Sequence, residues 1–294
     1  MPLKTNSLNV IKNRSMRKPD WLKVRYGSGD TFKNVRHLVK NEGLHTVCES
    51  AHCPNLGECW SRGTATFMLL GNICTRSCKF CNVAVGRPQM YDSEEPKRVA
   101  RAVQKMKVRH AVITMVARDD LKDSGANIVA ETIKEIKKLN PNCTVEALIS
   151  DLKGKRRDLE TVLRGGPDIL NHNLETVKRL QREVRVQAKY ERSLQILAWA
   201  KQAGFITKSG IMVGLGESFD EILQVMRDIV SVGCKILTIG QYLPPTKVHY
   251  PLAKYYSPEE FSDLKELGIQ YGFLHVESGP LVRSSYHAED AILL

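Results

Sequence analysis

From about residue 66 onward, short runs of aliphatic and β-branched residues alternate with longer stretches whose apolar positions recur every three or four residues. The short runs predict strands at Thr66–Leu70, His110–Val116, Thr144–Ile149, Asp168–Leu170, Thr207–Val213 and Lys235–Gly240. Between them the period is helical: Ile128, Val129, Ile133, Ile136 and Leu139 share one face, as do Ile222, Val225, Met226 and Ile229. Six strand-then-helix units imply a parallel sheet with right-handed crossovers. Eight such units close a barrel, so six predict an α/β fold built as an open, partial (β/α)6 barrel, TIM-like in its units. Residues 1–60 and about 270–294 flank this core without strong periodicity, and no internal repeat or low-complexity segment is visible. The expected division is an N-terminal extension over 1–62, the barrel over 63–265 and a C-terminal extension over 266–294.

In such an architecture chemistry gathers where strands end and loops begin, at the carboxyl edge of the sheet. Cys74 follows the first predicted strand and Arg118-Asp119-Asp120 the second. His172-Asn173-Leu174-Glu175 follows the fourth, and Gly214-Leu215-Gly216-Glu217 the fifth. Four strand ends therefore point polar or glycine-rich segments at one edge.

Composition narrows the class. Among 294 residues, 42% are hydrophobic and 26% charged, values that exclude a disordered or fibrous chain. No apolar run approaches the roughly 20 residues of a membrane-spanning helix. The first residues are basic without an apolar core behind them, so no secretory signal is read, and a soluble, cytoplasmic protein is expected. Lys and Arg total 44 against 32 acids, a net charge of +12, and residues 1–40 hold ten basic and two acidic residues. Such an arm is a solvated tail or a docking aid for an acidic protein or membrane surface. Base-stacking aromatics are not interleaved with it, so nucleic acid is not expected as a partner.

The cysteines change the picture most. Six of the eight fall between Cys48 and Cys81, in a chain that needs no disulfide staples, which points to a metal or cluster site. Cys74, Cys78 and Cys81 read C-x3-C-x2-C on the loop leaving the first strand. Three thiolates fall one short of a tetrahedral set. A zinc knuckle would want a fourth Cys or His nearby, and none follows within the loop. A [4Fe–4S] cluster held by three thiolates keeps one iron open. That iron can chelate S-adenosylmethionine (SAM) and pass an electron to its sulfonium, yielding a 5′-deoxyadenosyl radical. Cys48, Cys53 and Cys59 read C-x4-C-x5-C, a second triad with the same open valence and hence a second expected cluster. Cys143 and Cys234 stand alone and read as small core residues.

The first triad, with Phe80 before its last cysteine, resembles the radical SAM superfamily, as does Gly210-Ile211-Met212-Val213-Gly214-Leu215-Gly216-Glu217. The two triads together resemble the lipoyl synthase family. So do Cys53-Pro54-Asn55-Leu56-Gly57-Glu58-Cys59-Trp60, Asn171–Val177, Tyr190–Leu194, Leu237–Tyr242 and the terminal Arg283-Ser284-Ser285-Tyr286-His287-Ala288. The likeness runs from about Lys18 to Ala288. It implies a sulfurtransferase that uses two SAM to insert sulfur at C6 and C8 of a protein-bound octanoyl-lysine, carbons that acid–base chemistry cannot activate. It implies two [4Fe–4S] clusters: one binds SAM, and an auxiliary one donates sulfur with a serine as fourth ligand. The resemblance favours Ser285 for that ligand; residue chemistry alone does not choose between Ser284 and Ser285. Asn173, Glu175 and Arg192 are the expected SAM contacts. Implied partners are octanoylated lipoyl domains of 2-oxoacid dehydrogenase E2 subunits, the glycine-cleavage H protein, and an electron donor such as flavodoxin or ferredoxin. The chain departs from the family at Met115-Val116-Ala117, where Ser-Val-Asp is usual, and at Ser150, where Pro is common. The alternatives are a radical SAM sulfurtransferase or methylthiotransferase with another acceptor and, from a different class, a zinc-binding nucleic-acid module.

Overall fold

Every predicted strand is present, shifted by at most two residues at an end, in a computed structural model that describes residues 17–24, 26–88 and 90–289. Of the basic arm, Lys4, Lys12, Arg14 and Arg25 lie outside the described residues. Three helices, α1 (Gly29–Asn41), α2 (Val47–Ser50) and α3 (Leu56–Ser61), precede strand β1 (Phe67–Leu69). A short ladder, β2 (Ile73–Cys74) with β3 (Ala84–Val85), follows. Then come α4 (Glu95–Met106), β4 (His110–Met115), α5 (Ala126–Leu139), β5 (Thr144–Leu148), α6 (Arg156–Leu163), β6 (Ile169–Asn171), α7 (Gln181–Val184) and α8 (Tyr190–Gln202). The chain continues through β7 (Ile206–Val213), α9 (Phe219–Ser231), β8 (Ile236–Gln241), α10 (Pro258–Tyr271) and β9 (His275–Gly279).

The main sheet is parallel and open, in the order β1-β4-β5-β6-β7-β8-β9. It has seven strands where the pattern predicted six. The extra one, β9, buries only Val276 in the sequence His-Val-Glu-Ser-Gly, so it shows no alternation to read. Backbone pairing with β8 and packing of α10 against it make it a strand.

Helices form where local signals agree with the apolar stripe. Ser218 and Glu221 make a reciprocal capping box at the start of α9; Ser257 and Glu260 do the same for α10, with Pro258 in its first turn. On α9, Ile222, Val225, Met226 and Ile229 are all within 1% of full burial. Each such side chain contributes roughly 1.5–3 kcal/mol on leaving water. Strand residues Ala111, Ile113, Val145 and Ala147 pack outward against α4 and α5, in one core with Val35, Val39 and Trp60 of the N-terminal helices. The extension is therefore fused to the barrel's core.

Those N-terminal residues also cover the free edge of β1. Met68 N donates to His45 O at 2.8 Å, and Val47 N to Thr66 O at 3.2 Å. At the far side, the segment after β9 returns to them through Asn55 Nδ2, which donates to Leu281 O at 2.7 Å. The opening of the partial barrel is thus spanned by the two ends of the chain. Inside the sheet, Lys208 Nζ donates to Glu146 Oε2 at 2.9 Å and Asn171 Nδ2 to Glu146 Oε1 at 2.7 Å, fully buried. Burial pushes Glu146 up, but the Lys208 charge and His110 outweigh it and hold the carboxyl below its ordinary range.

Candidate functional site

A cavity of about 570 Å3 spans the carboxyl ends of the strands and the lumen beside Val112, Thr114, Leu148 and Thr238. Both cysteine triads stand on its wall, with Ser284 and Ser285. The spacing argument therefore located one site made of two donor sets.

Cys74 ends β2, and the ladder with β3 folds the loop back so that Gly86 N donates to Cys74 O at 3.0 Å. Cys81 N donates to Cys78 O at 3.0 Å. Between the first two cysteines, Arg76 is the clamp. Its Nε and Nη2 each reach Asp119 at 2.8 Å, and Nη2 also reaches Asp151 Oδ1 at 2.6 Å. Arg192 Nη1 donates to the other oxygen of Asp151 at 3.2 Å. Thr75 adds two donations to the carbonyl of Ala117, at 3.0 Å from its N and 2.9 Å from its hydroxyl. At the position where the acid was missed, the backbone thus holds the cysteine loop. Ser150, the other departure, accepts from Leu152 N at 3.3 Å. Of the two acids after β4, Asp119 serves the loop and Asp120 pairs with Arg118.

The second triad lies on short helical turns. Cys48 sits in α2, whose cap Thr46 accepts from Glu49 N, and Cys59 sits in α3. Cys53 lies between them, its N donating to Cys48 O at 3.0 Å. The terminal segment crosses this unit: Tyr286 hydroxyl donates to Glu58 at 3.2 Å, and Arg62 Nη2 to Glu289 at 2.8 Å.

All eight cysteines are free thiols in the described structure. Burial pushes Cys48 up to about 11 and Cys59 up to about 12, with the neighbouring thiols of the same triad raising both further. Burial likewise raises Cys78 to about 11 and Cys81 to about 12, and Cys74 adds to each. Thiols that oppose one another's ionisation this way need a cationic centre among them to become thiolates. Among the described residues, no three His, Cys, Asp or Glu side chains close around a single metal ion. Soft thiolate donors of this kind suit an iron–sulfur cluster.

Asn173 and Glu175 line the cavity beyond β6. Asn173 Nδ2 donates to Glu175 Oε1 at 3.0 Å, while Asn173 Oδ1 is buried without a partner. Glu175 has φ +67°, a left-handed conformation costing on the order of 1 kcal/mol, held by backbone bonds to Gly210 and Met212. Burial raises its carboxyl pKa. Gly210 matters by its missing side chain: a Cβ there would lie 2.5 Å from Thr238 Oγ1 and 2.9 Å from Asn173 Oδ1. The loop glycine Gly214 instead makes room for Gln241 and the Lys254 carbonyl.

Arg76 and Arg185 were not singled out by sequence, and His172 was named in a strand-end segment without a role. Arg76 could have been read as a cation inside the cysteine loop that needs the strand-end acids. Arg185 lines the cavity, buried, with its Nε unpaired beside Cys78 and Glu175, whereas Arg192 is absent from the lining and committed to Asp151. Nothing local marks Arg185. His172 donates from Nδ1 to the Ile149 carbonyl at 2.8 Å; burial, with Arg185 nearby, pushes it down to about 4. Its Nε2 is therefore a bare acceptor, without a partner, in the cavity wall.

The profile of the Radical SAM superfamily matches residues 68–229. Among solved structures, methylornithine synthase superimposes with a TM-score of 0.57 at 16% identity over 88% of this chain and 85% of its own. The FeFe-hydrogenase maturase HydG from Carboxydothermus hydrogenoformans gives 0.57 at 14% identity over 89% and 77%. These likenesses establish the fold. Curated relatives are far nearer in sequence. The mitochondrial lipoyl synthase of Nematostella vectensis is 54% identical over 99% of this chain and 100% of its own length. The lipoyl synthase of Rubrobacter xylanophilus is 56% identical over 93% and 86%. Identity at that level over nearly the whole chain means that the chain belongs to the lipoyl synthase family, within the radical SAM superfamily.

Proposed function

We propose that the two thiol sets divide one reaction: sulfur insertion at C6 and C8 of an octanoyl-lysine on a lipoyl-domain carrier. In this reading Cys74, Cys78 and Cys81 hold a [4Fe–4S] cluster with an open iron for SAM, and Cys48, Cys53, Cys59 and Ser285 hold an auxiliary cluster. When bound, the first cluster would supply an electron to the SAM sulfonium and the second would supply sulfur. The observation that carries the reading is that both triads face one cavity. An alkyl chain entering it meets both sets without leaving the protein.

The chain's own residues hold and position. Arg76 fixes the first loop to Asp119 and Asp151. Asn173 and Glu175 are placed to hold the SAM ribose. We assign its carboxylate to Arg185, which lines the cavity and whose buried Nε has no partner, with Arg192 acting behind it through Asp151. Ser285 is favoured over Ser284 as the auxiliary ligand because Ser284 Oγ is already engaged by Asn173 at 2.6 Å. A hard alkoxide among soft thiolates is a detachable ligand, which suits a centre that gives up its sulfur.

By task we divide the chain into an auxiliary-site extension over 1–62, the barrel over 63–265 and a serine-bearing extension over 266–294. No helix among the described residues is long and apolar enough to cross a membrane. We propose the cytoplasm as compartment, E2 lipoyl domains and the H protein as carriers, and flavodoxin or ferredoxin as reductant; cell fractionation and co-purification test these.

The decisive experiment is a single turnover on an octanoyl-lysine peptide with labelled sulfide in the enzyme's clusters. Labelled sulfur at C6 and C8, from a chain holding about eight irons, is the expected result. About four irons per chain, or unlabelled product, would overturn the two-cluster reading.

A further inference from the structure

The terminal segment 281–289 is fastened at three places, and they do not all belong to the same part of the molecule. Two fasten it to the helical unit of the second triad: Asn55 to Leu281 at 2.7 Å, and Glu58 with Arg62 to Tyr286 and Glu289. The third crosses to the barrel. Asn173 Nδ2 donates to Ser284 Oγ at 2.6 Å, and that same nitrogen donates to Glu175. Ser284 therefore stands one residue from the proposed auxiliary ligand while bonded to a strand-end residue on the SAM side of the cavity.

The barrel is shaped for this contact. Gly240, near the end of β8, has no side chain where the Val282 carbonyl comes down on it, and a Cβ there would also lie 3.3 Å from Arg283 Nη1. Gly210 likewise leaves space for Asn173. The segment is thus seated on the sheet at Gly240 and pinned beside it at Asn173.

We propose that Ser284 is a positioning residue: through Asn173 it anchors the strap to the barrel and so sets how firmly Ser285 is presented to the auxiliary triad. The inference rests on the two-cluster reading with Ser285 as ligand. Its physical content is tethering. With Ser284 pinned, the neighbouring hydroxyl has few positions to explore; without the pin, Ser285 leaves its iron more often and returns less readily. The same bond links the two sides of the cavity, because the nitrogen that pins Ser284 also supports Glu175.

The test is iron retention in full-length protein, independent of turnover. Cys74, Cys78 and Cys81 are all replaced by Ala, so that any remaining iron belongs to the auxiliary site, and anaerobic release to a ferrous chelator is timed. In this background Ser284→Ala and Asn173→Ala should each speed release about fivefold, the worth of one net hydrogen bond. The double variant should be no faster than either single, because both remove the same contact. Ser284→Thr, which keeps the hydroxyl, should return release towards the parent rate, and this separates pinning from general loosening. Release unchanged in Ser284→Ala, or singles whose effects multiply in the double, would overturn the inference. A triad-less parent that holds no iron would instead overturn the two-cluster reading.

Discussion

The two thiol sets differ in how they are built. The first is local: Cys74, Cys78 and Cys81 lie on one loop, braced from behind by an ion-pair network whose centre is buried. In that brace Arg76 is 5% exposed and Asp151 0%. The second lies on residues 48–59 beneath the segment 281–289, which is held by two buried amides, Asn55 and Asn173, and at its outer edge by an exposed ion pair. There Arg62 is 45% exposed and Glu289 39%. Exposed ion pairs contribute about 0–1 kcal/mol, whereas removing one partner from a buried pair costs about 3–5 kcal/mol. Removing Arg76 should therefore cost more than removing the outer ion pair of the terminal segment.

The largest expected effect separates the two sites outright. Cys78→Ala should abolish SAM cleavage and leave about four irons per chain. Cys53→Ala should keep 5′-deoxyadenosine formation and yield no thiolated octanoyl product. Mass spectrometry of both products decides it, and lipoyl product from Cys53→Ala would erase the distinction.

Next comes the brace. Arg76→Met takes the buried Asp151 carboxylate's nearest cation and leaves it Arg192 and the Lys153 N–H, so anaerobic urea unfolding should lose about 3–5 kcal/mol. An equal loss from Arg62→Met would show that the two fastenings do not differ.

His172 tests the barrel side through pH. Its folded value, down at about 4, lies below the ordinary imidazole range, so below about pH 6.5 the unfolded chain takes up a proton that the folded chain refuses. Stability from this group is complete above that pH and is lost as pH falls towards 4, on the order of 3 kcal/mol in all. His172→Asn should flatten that limb in urea titrations run across the window.

The smallest effect concerns the strap's outer fastening. Tyr286→Phe removes the donation to Glu58, a contact worth about 1 kcal/mol or less. Hydrogen exchange of residues 281–289 should quicken by no more than about fivefold, with the β4–β8 core unchanged. A larger change would place the strap's strength at its surface rather than at Ser284.

The fold was legible because short aliphatic and β-branched runs alternate with stretches of helical period, as at Ile128–Leu139 and Ile222–Ile229. The strand β9 was not, because a short edge strand with one buried side chain carries no pattern. The thiol sets were legible because ligand spacing is a local property of sequence. Arg185 and Arg192 show the limit: both are arginines near the right elements, and nothing in their neighbours says which one Asp151 takes and which one faces the cavity.

By itself the sequence determined the order of strands and helices and the grouping of six cysteines into two triads, because each depends on residues a few positions apart. Only the tertiary structure decided that the two triads share a cavity, that Arg76 is claimed by acids 43 and 75 residues away, and that Ser284 is engaged by Asn173 across 111 residues. Those contacts depend on the register of parallel strands and on where the chain's two ends meet over the open barrel. Both are set by burial of the whole core, and no local run of residues encodes them.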